Sequence, residues 1–564
     1  MFDFSSQHAV RSRRGFTLVE MLVSVGLVVL MMSLFAFIFQ VATGTMSRQR
    51  TISQNNQKVR LVATLLTNDL KKRTFRNLVP FMPHELEDHP TNFSDRRGYF
   101  YLSENSPYVE TDTVLQFTVD SENAEAAASL SRGFVGRAQA VIGIGVGADN
   151  PTEHPDGDNG RLGDNLATAR HAEISYFVRN GNLYRRLLLI RDERPSTTFV
   201  TGNQSVMENY NFNRFDFSMR ENMATPGSAE FSVASDLDNL LDAKPPTNSV
   251  YASMKGLGLP QNRFGFWKPN AVQNPTNTQT GQSYEWLGSG GNALFIGRFT
   301  MQETSAAAFT FPNYDPGHGG PGHGHASNPL LQTLTDTNLD GAVDQFASGT
   351  RVGEDLLLSN VLSFTVEVWE GDHAVGRFVR LGHTGNSYLT NQTLDTWHRY
   401  SRVPTPATTN PPTPFVASLP PTAPLLRYRP SELGTRVQHV GPFAPPGPGV
   451  TPVALGDVYL LWDGDTTGYP GGTNDNRIQW NWNMTVLRCI QAGAPTAGRP
   501  DIREKAGEPA DEIRQGSVIW SVESNVVPVR ALQITIRFMH PSTDEPRQIT
   551  IVQSLIDDEE FRTQ

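Results

Sequence analysis

Apolar residues run almost unbroken from Met21 to Val41, and Glu20 is the only formal charge between Phe16 and Gln40. About 20 such residues suffice to cross a bilayer as a helix, so 16–43 is predicted to span a membrane. Arg11, Arg13 and Arg14 precede the run. A basic flank of this kind stays cytoplasmic, which places everything after Gly44 on the far side. No proline follows until Pro80. Over the intervening stretch Val59, Val62, Leu66 and Leu70 draw one apolar stripe with Ala63 beside it. Arg60, Lys71, Lys72 and Arg73 mark its polar side and end. The pattern predicts one helix from Phe16 to Asn77, about 90 Å long at 1.5 Å per residue. Its first half suits lipid, and its amphipathic second half, 44–80, suits a sheet. Gly26 and Gly44 are its weak points, each costing ~1 kcal/mol relative to Ala.

Past residue 80 the period falls to two. Thr113–Val119 alternates as a half-buried strand does. Ala172–Val178 and Leu183–Ile190 flank Asn180-Gly181-Asn182, a hairpin signal because Asn-Gly accepts the positive φ of tight turns. Ala293–Phe299, Val361–Trp369, Val458–Trp462, Ala531–Phe538 and Arg547–Leu555 are further strand candidates, the last two forming a closing hairpin. The fold class predicted is α+β: a long N-terminal helix packed on an antiparallel sheet, with a β-rich body over 81–564. Large loop-rich insertions are expected near 149–165, 195–290, 301–350, 372–454 and 464–515. Pro404–Pro452 holds 14 of the 38 prolines and reads as extended linker. Asn203–Thr280 reads as poor core material.

Composition agrees with a loop-rich β protein: Gly (48) and Pro (38) are abundant and charged residues make up only 18% of the 564. The net charge of −10 argues against binding nucleic acid through its phosphates. Cys489 is the single cysteine, so no intrachain disulfide forms.

Candidate chemistry is sparse. Asp336, Asn338, Asp340 and Asp344 with Gly341 have the spacing of a calcium loop, oxygens at alternate positions around a tight turn. Ala347 stands where such a loop expects a bidentate Glu, and an Asx-rich surface turn gives the same pattern. Asp156/Asp158 and Asp463/Asp465 are weaker versions. His318, His323 and His325 lie in a Gly-rich tract, and His84, Glu85, Asp88 and His89 miss the spacing of a zinc protease helix. Gly143-Ile-Gly145-Val-Gly147-Ala148 is followed by acidic, proline-containing sequence rather than the helix a dinucleotide site requires. No nucleophile elbow and no phosphate-binding Gly-Lys-Ser/Thr loop occurs, and no enzyme is expected.

Arg14-Gly-Phe-Thr-Leu-Val-Glu20 resembles the prepilin signal of type IV pilins and type II secretion pseudopilins. The resemblance implies a cut between Gly15 and Phe16 by a membrane prepilin peptidase, which removes leader 1–15 and methylates the new amine of Phe16. The helix is then expected to leave the inner membrane for the core of a filament, with the amine of a neighbour against Glu20. Leu65–Leu70, the Tyr176–Arg186 hairpin and Pro528–Ile536 resemble minor pseudopilins of the J type, and the proline that many major pilins carry in the apolar helix is absent. The implied function is a structural minor subunit assisting filament assembly and protein export, with other minor and major pseudopilins as partners and a periplasmic body. A minor pilin of a type IV pilus or DNA-uptake filament, and a membrane-anchored adhesin or carbohydrate-binding protein, are the alternatives. Calcium, at the Asp336–Asp344 loop, is the one cofactor the sequence suggests.

Overall fold

In a computed structural model of the chain, the structure describes residues 15–76, 78, 97–104, 110–123, 133–138, 155–161, 163–192, 198–199, 215–221, 229–238, 256–258, 262–264, 299–305, 351–372, 375–381, 393–396, 403–404, 414–415, 425–426, 438–440, 453–461, 485–495, 503–505, 508–509, 512–524, 526–540 and 545–556. Helix α1 spans Leu18–Lys71. It ends before the predicted Asn77, and Pro80 has no part in stopping it. The backbone gives the reason: Lys72 O accepts Asp120 N at 2.7 Å, Thr74 N donates to Thr118 O at 2.9 Å, and Arg73 bridges to Val119. Chain paired in this way with a strand cannot keep helical dihedrals. Arg73, expected at the polar end, is instead buried. Its guanidinium donates to the carbonyls of Leu70 (3.0 Å), Arg76 (3.2 Å) and Leu555.

The chain divides into two compact units, the first built on the helix as far as Arg60 and the second beginning at Leu61. In the first, every large apolar residue from Leu18 to Val41 is more than half exposed. In the second, Val62, Leu66 and Leu70 of the predicted stripe are buried.

The second unit's principal strands are β1 (Phe100–Glu104), β2 (Thr113–Asp120), β3 (His171–Arg179), β4 (Asn182–Ile190), β5 (Leu356–Leu358), β6 (Val361–Asp372), β7 (Val375–Arg380), β8 (Thr393–Asp395), β9 (Gln438–Val440), β10 (Val458–Leu461), β11 (Thr485–Gln491), β12 (Glu512–Gln515), β13 (Val518–Ser524), β14 (Ala531–Met539) and β15 (Pro546–Ser554). They form a six-stranded sheet in the order β5-β4-β3-β2-β1-β8, a four-stranded sheet β7-β6-β14-β15 and a five-stranded sheet β9-β10-β11-β13-β12. The first two are antiparallel throughout. The β3–β4 hairpin turns at Asn180 (φ 47°) and Gly181 (φ 67°), the conformation that Asn-Gly favours. The predicted closing hairpin is β14–β15, paired from Ala531↔Ser554 to Met539↔Pro546. Residues 293–298 and Trp462, the remaining parts of predicted strands, lie outside the described residues.

Alternation in β2 suggested one wet face, but β2 and its neighbour β3 are buried throughout. Register aligns Leu102, Leu115, Tyr176 and Arg185 in one row and Tyr101, Gln116, Ser175 and Arg186 in the next, on the opposite face. On the polar face Glu173 accepts hydrogen bonds from Tyr99 Oη, Gln116 Nε2 (2.8 Å), Phe264 N (3.1 Å) and Ser218 Oγ (2.8 Å). Arg263 forks onto Asp395 at 2.8 and 3.0 Å and lies over the Tyr99 ring. A carboxylate without water needs donors of this kind. Burial pushes Glu173 above the ordinary carboxylate range even so.

The stretches read as poor core supply part of this cover. Phe215, Phe217 and Phe231 are buried, their rings meeting edge-on at 5.3–6.4 Å. Pro404–Pro452, read as linker, contributes β9, parallel to β10. The expected insertion 464–515 carries β11 and β12. With Val453, Leu487, Cys489, Ile513, Val518 and Trp520, the five-stranded sheet has a core of its own.

Candidate processing and assembly site

Gly15, Phe16 and Thr17 are non-helical and exposed, and the helix starts at Leu18. Thr17 fixes that start. Its hydroxyl accepts Glu20 N at 3.3 Å, while Glu20 Oε2 accepts Thr17 N at 2.9 Å and Thr17 Oγ1 at 3.0 Å. This is a reciprocal capping box, in which the residue before the helix and the third residue within it satisfy each other's free amides. Thr-x-x-Glu was legible as such a box in the sequence, but the prepilin resemblance drew attention to Glu20 alone. Oε1 of Glu20 makes no hydrogen bond among the described residues, and the residue is exposed.

The peptide between Gly15 and Phe16 lies just ahead of the cap. A Cβ on Gly15 would meet nothing within 4 Å, so nothing in the fold demands glycine there. Phe16 is 82% exposed. The helix that follows includes a window of mean hydropathy 2.7, none of it buried. A run this apolar needs lipid or other helices around it.

Residues 10–36 match the family model described as the prokaryotic N-terminal methylation motif. The N-terminal segment therefore carries a prepilin-type methylation motif, as type IV pilin-like proteins do. The motif implies processing by a prepilin peptidase and assembly with other pilin subunits, and the proteins it marks are structural rather than enzymatic. No curated relative and no solved structure matches the chain.

The other sequence candidates are not drawn into this site. Asp336, Asn338, Asp340 and Asp344 lie outside the described residues, as do His84, Glu85, Asp88, His89, His318, His323, His325, Gly143–Ala148, Asp463 and Asp465. Asp158 is bonded to Arg191 at 2.8 and 2.9 Å, and Asp156 accepts Gly163 N. Among the described residues no group of three or more His, Cys, Asp or Glu is placed to hold a metal ion.

A second contact of the helix was not legible in the sequence. Asp69, in the last turn of α1, is buried and accepts Tyr176 Oη at 2.5 Å, Arg185 Nε at 2.6 Å and Arg185 Nη2 at 3.1 Å. An acid there opposes the helix dipole, so its presence signalled a partner elsewhere. Burial and the Asp69 charge raise Tyr176 well above its ordinary value. The charge of Asp69 also holds Arg185 protonated against the effect of burial.

Proposed function

We propose that the chain is a minor subunit of a type II secretion-like filament, of the J type, with its N-terminus cytoplasmic and its β-rich body periplasmic. The observation that carries the reading is the capped helix start itself. One oxygen of Glu20 closes the helix's own N-terminus and the other is open, one turn from the amine that a cut after Gly15 would create. A carboxylate in hydrocarbon costs ~2.5–3.5 kcal/mol at a helix centre and calls for a partner. A neighbouring subunit's Phe16 amine would provide one. The exposed apolar helix fits a bilayer first and a bundle of like helices afterwards. Lying in the same unit as the sheet, Leu61–Lys71 would pack on its apolar face through Asp69, so that the body follows the helix into the filament.

Mass spectrometry of the mature N-terminus tests this. An N-methylated Phe16 is the expected species, together with cross-linking to other short Phe-Thr-Leu-x-Glu proteins. A chain beginning at Thr45, or retaining Met1, overturns the reading.

A further inference from the structure

Between Met21 and Asn68 the chain has no acidic residue, yet Arg48, Arg50, Lys58 and Arg60 all lie there, all exposed. Arg48 and Arg50 make no hydrogen bond or ion pair among the described residues. The hydroxyls nearby are turned onto their own helix: Thr43 donates to Phe39 O, Thr45 to Val41 O and Thr51 to Ser47 O, at 2.8, 2.8 and 3.0 Å.

Position along the axis separates the four cations. Arg48 lies about 8 Å and Arg50 about 11 Å beyond Thr43, where the apolar run ends, while Lys58 is about 23 Å beyond it. The headgroup layer is only about 5–7 Å deep on each side. Helical side chains lean toward the N-terminus, here the membrane end, so the two nearer arginines reach back into that layer with their long stems. They stand about 200° apart around the axis, on opposite sides. An acidic patch on a protein approaches from one side, whereas lipid headgroups surround the helix and meet both guanidiniums.

We propose that Arg48 and Arg50 form a collar that binds the phosphates of anionic phospholipids in the leaflet on the body's side of the membrane. The proposal rests on the reading that the apolar helix lies in a bilayer. It adds a hold on that leaflet which must be released before the subunit is extracted.

The test uses the full-length chain in a neutral detergent, titrated with phosphatidylglycerol or phosphatidylcholine, with bound lipid counted by native mass spectrometry. The unaltered chain should retain phosphatidylglycerol preferentially. The R48Q/R50Q variant should lose roughly 10- to 30-fold in affinity for it, and K58Q/R60Q should not. Equal retention by the unaltered chain and R48Q/R50Q overturns the collar. So does a variant that keeps its lipid preference but no longer co-purifies with acidic filament subunits, since the arginines then serve a protein partner. Alkaline extraction of membranes checks the underlying reading separately. A chain that washes off refutes the membrane placement, whereas one that stays and shows no Arg-dependent lipid preference refutes the collar alone.

Discussion

The Tyr176 hydroxyl donates to the Asp69 carboxylate at 2.5 Å, bonding the last turn of α1 to the third strand of the six-stranded sheet. Arg185, across the hairpin from Tyr176, closes the same carboxylate from a second side.

Removing Asp69 therefore leaves a guanidinium and a phenol with no acceptor. Asp69→Ala should cost about 3–5 kcal/mol, the range for breaking a buried pair from one side. Tyr176→Phe, which gives up one hydrogen bond, should cost about 1 kcal/mol. Denaturant unfolding of the two variants measures the difference, and equal losses would contradict the assigned geometry.

Glu104 predicts a pH dependence. Burial pushes it up to about 7 from 4.5, against the opposing Arg380 contact at 2.9 Å. The folded state thus favours the protonated form. The resulting stability is fully present below pH 4.5 and is lost as pH rises through 7, on the order of 3 kcal/mol. Thermal unfolding from pH 5 to 8 should show a falling midpoint, and Glu104→Gln should make the slope shallower. Asp355, raised by burial to about 6, and Glu173, also raised by burial, add to the slope with the same sign.

Two glycines with positive φ should respond unequally to alanine. A Cβ on Gly98 (φ 69°) would lie 2.0 Å from Thr118 Oγ1, whereas one on Gly181 (φ 67°) meets only Val361 O at 3.8 Å. Gly181→Ala should cost about 1–2 kcal/mol from its backbone alone. Gly98→Ala should cost about 3 kcal/mol, because overpacking adds to the same backbone term. Unfolding midpoints of the two variants decide it.

At the N-terminus, Glu20→Ala should leave the cut after Gly15 intact and reduce incorporation with other subunits. Thr17→Ala removes the cap hydroxyl and should weaken the first turn by about 1 kcal/mol without abolishing incorporation. N-terminal sequencing and co-purification read the two effects apart, and normal co-assembly of Glu20→Ala would rule out a role for the carboxylate.

Much of this was legible in the sequence where local pattern governs structure. The apolar run, the Asn180-Gly181 turn and β14–β15 follow from residue type and spacing. What escaped was set by distant chain. Gln116, Ser175 and Glu173 alternate with apolar neighbours as a wet face would, yet Phe264 and Ser218, from far along the sequence, cover them. Arg73 looked like a surface base because nothing local shows that the Leu555 carbonyl waits for it. Within the processing site, the Gly15-Phe16 pair and Glu20 stood out, and the cap formed by Thr17 did not.

The bond from Arg73 to Leu555 joins the residues leaving the helix to the end of the final strand, and Val529 N donates to Leu78 O at 3.1 Å nearby. Residues 482 positions apart are joined here. Closing so long a span costs chain entropy that local contacts do not, so the helix exit gains this anchor only once β14 and β15 are in place, and loss of β15 would leave the Arg73 guanidinium without that carbonyl.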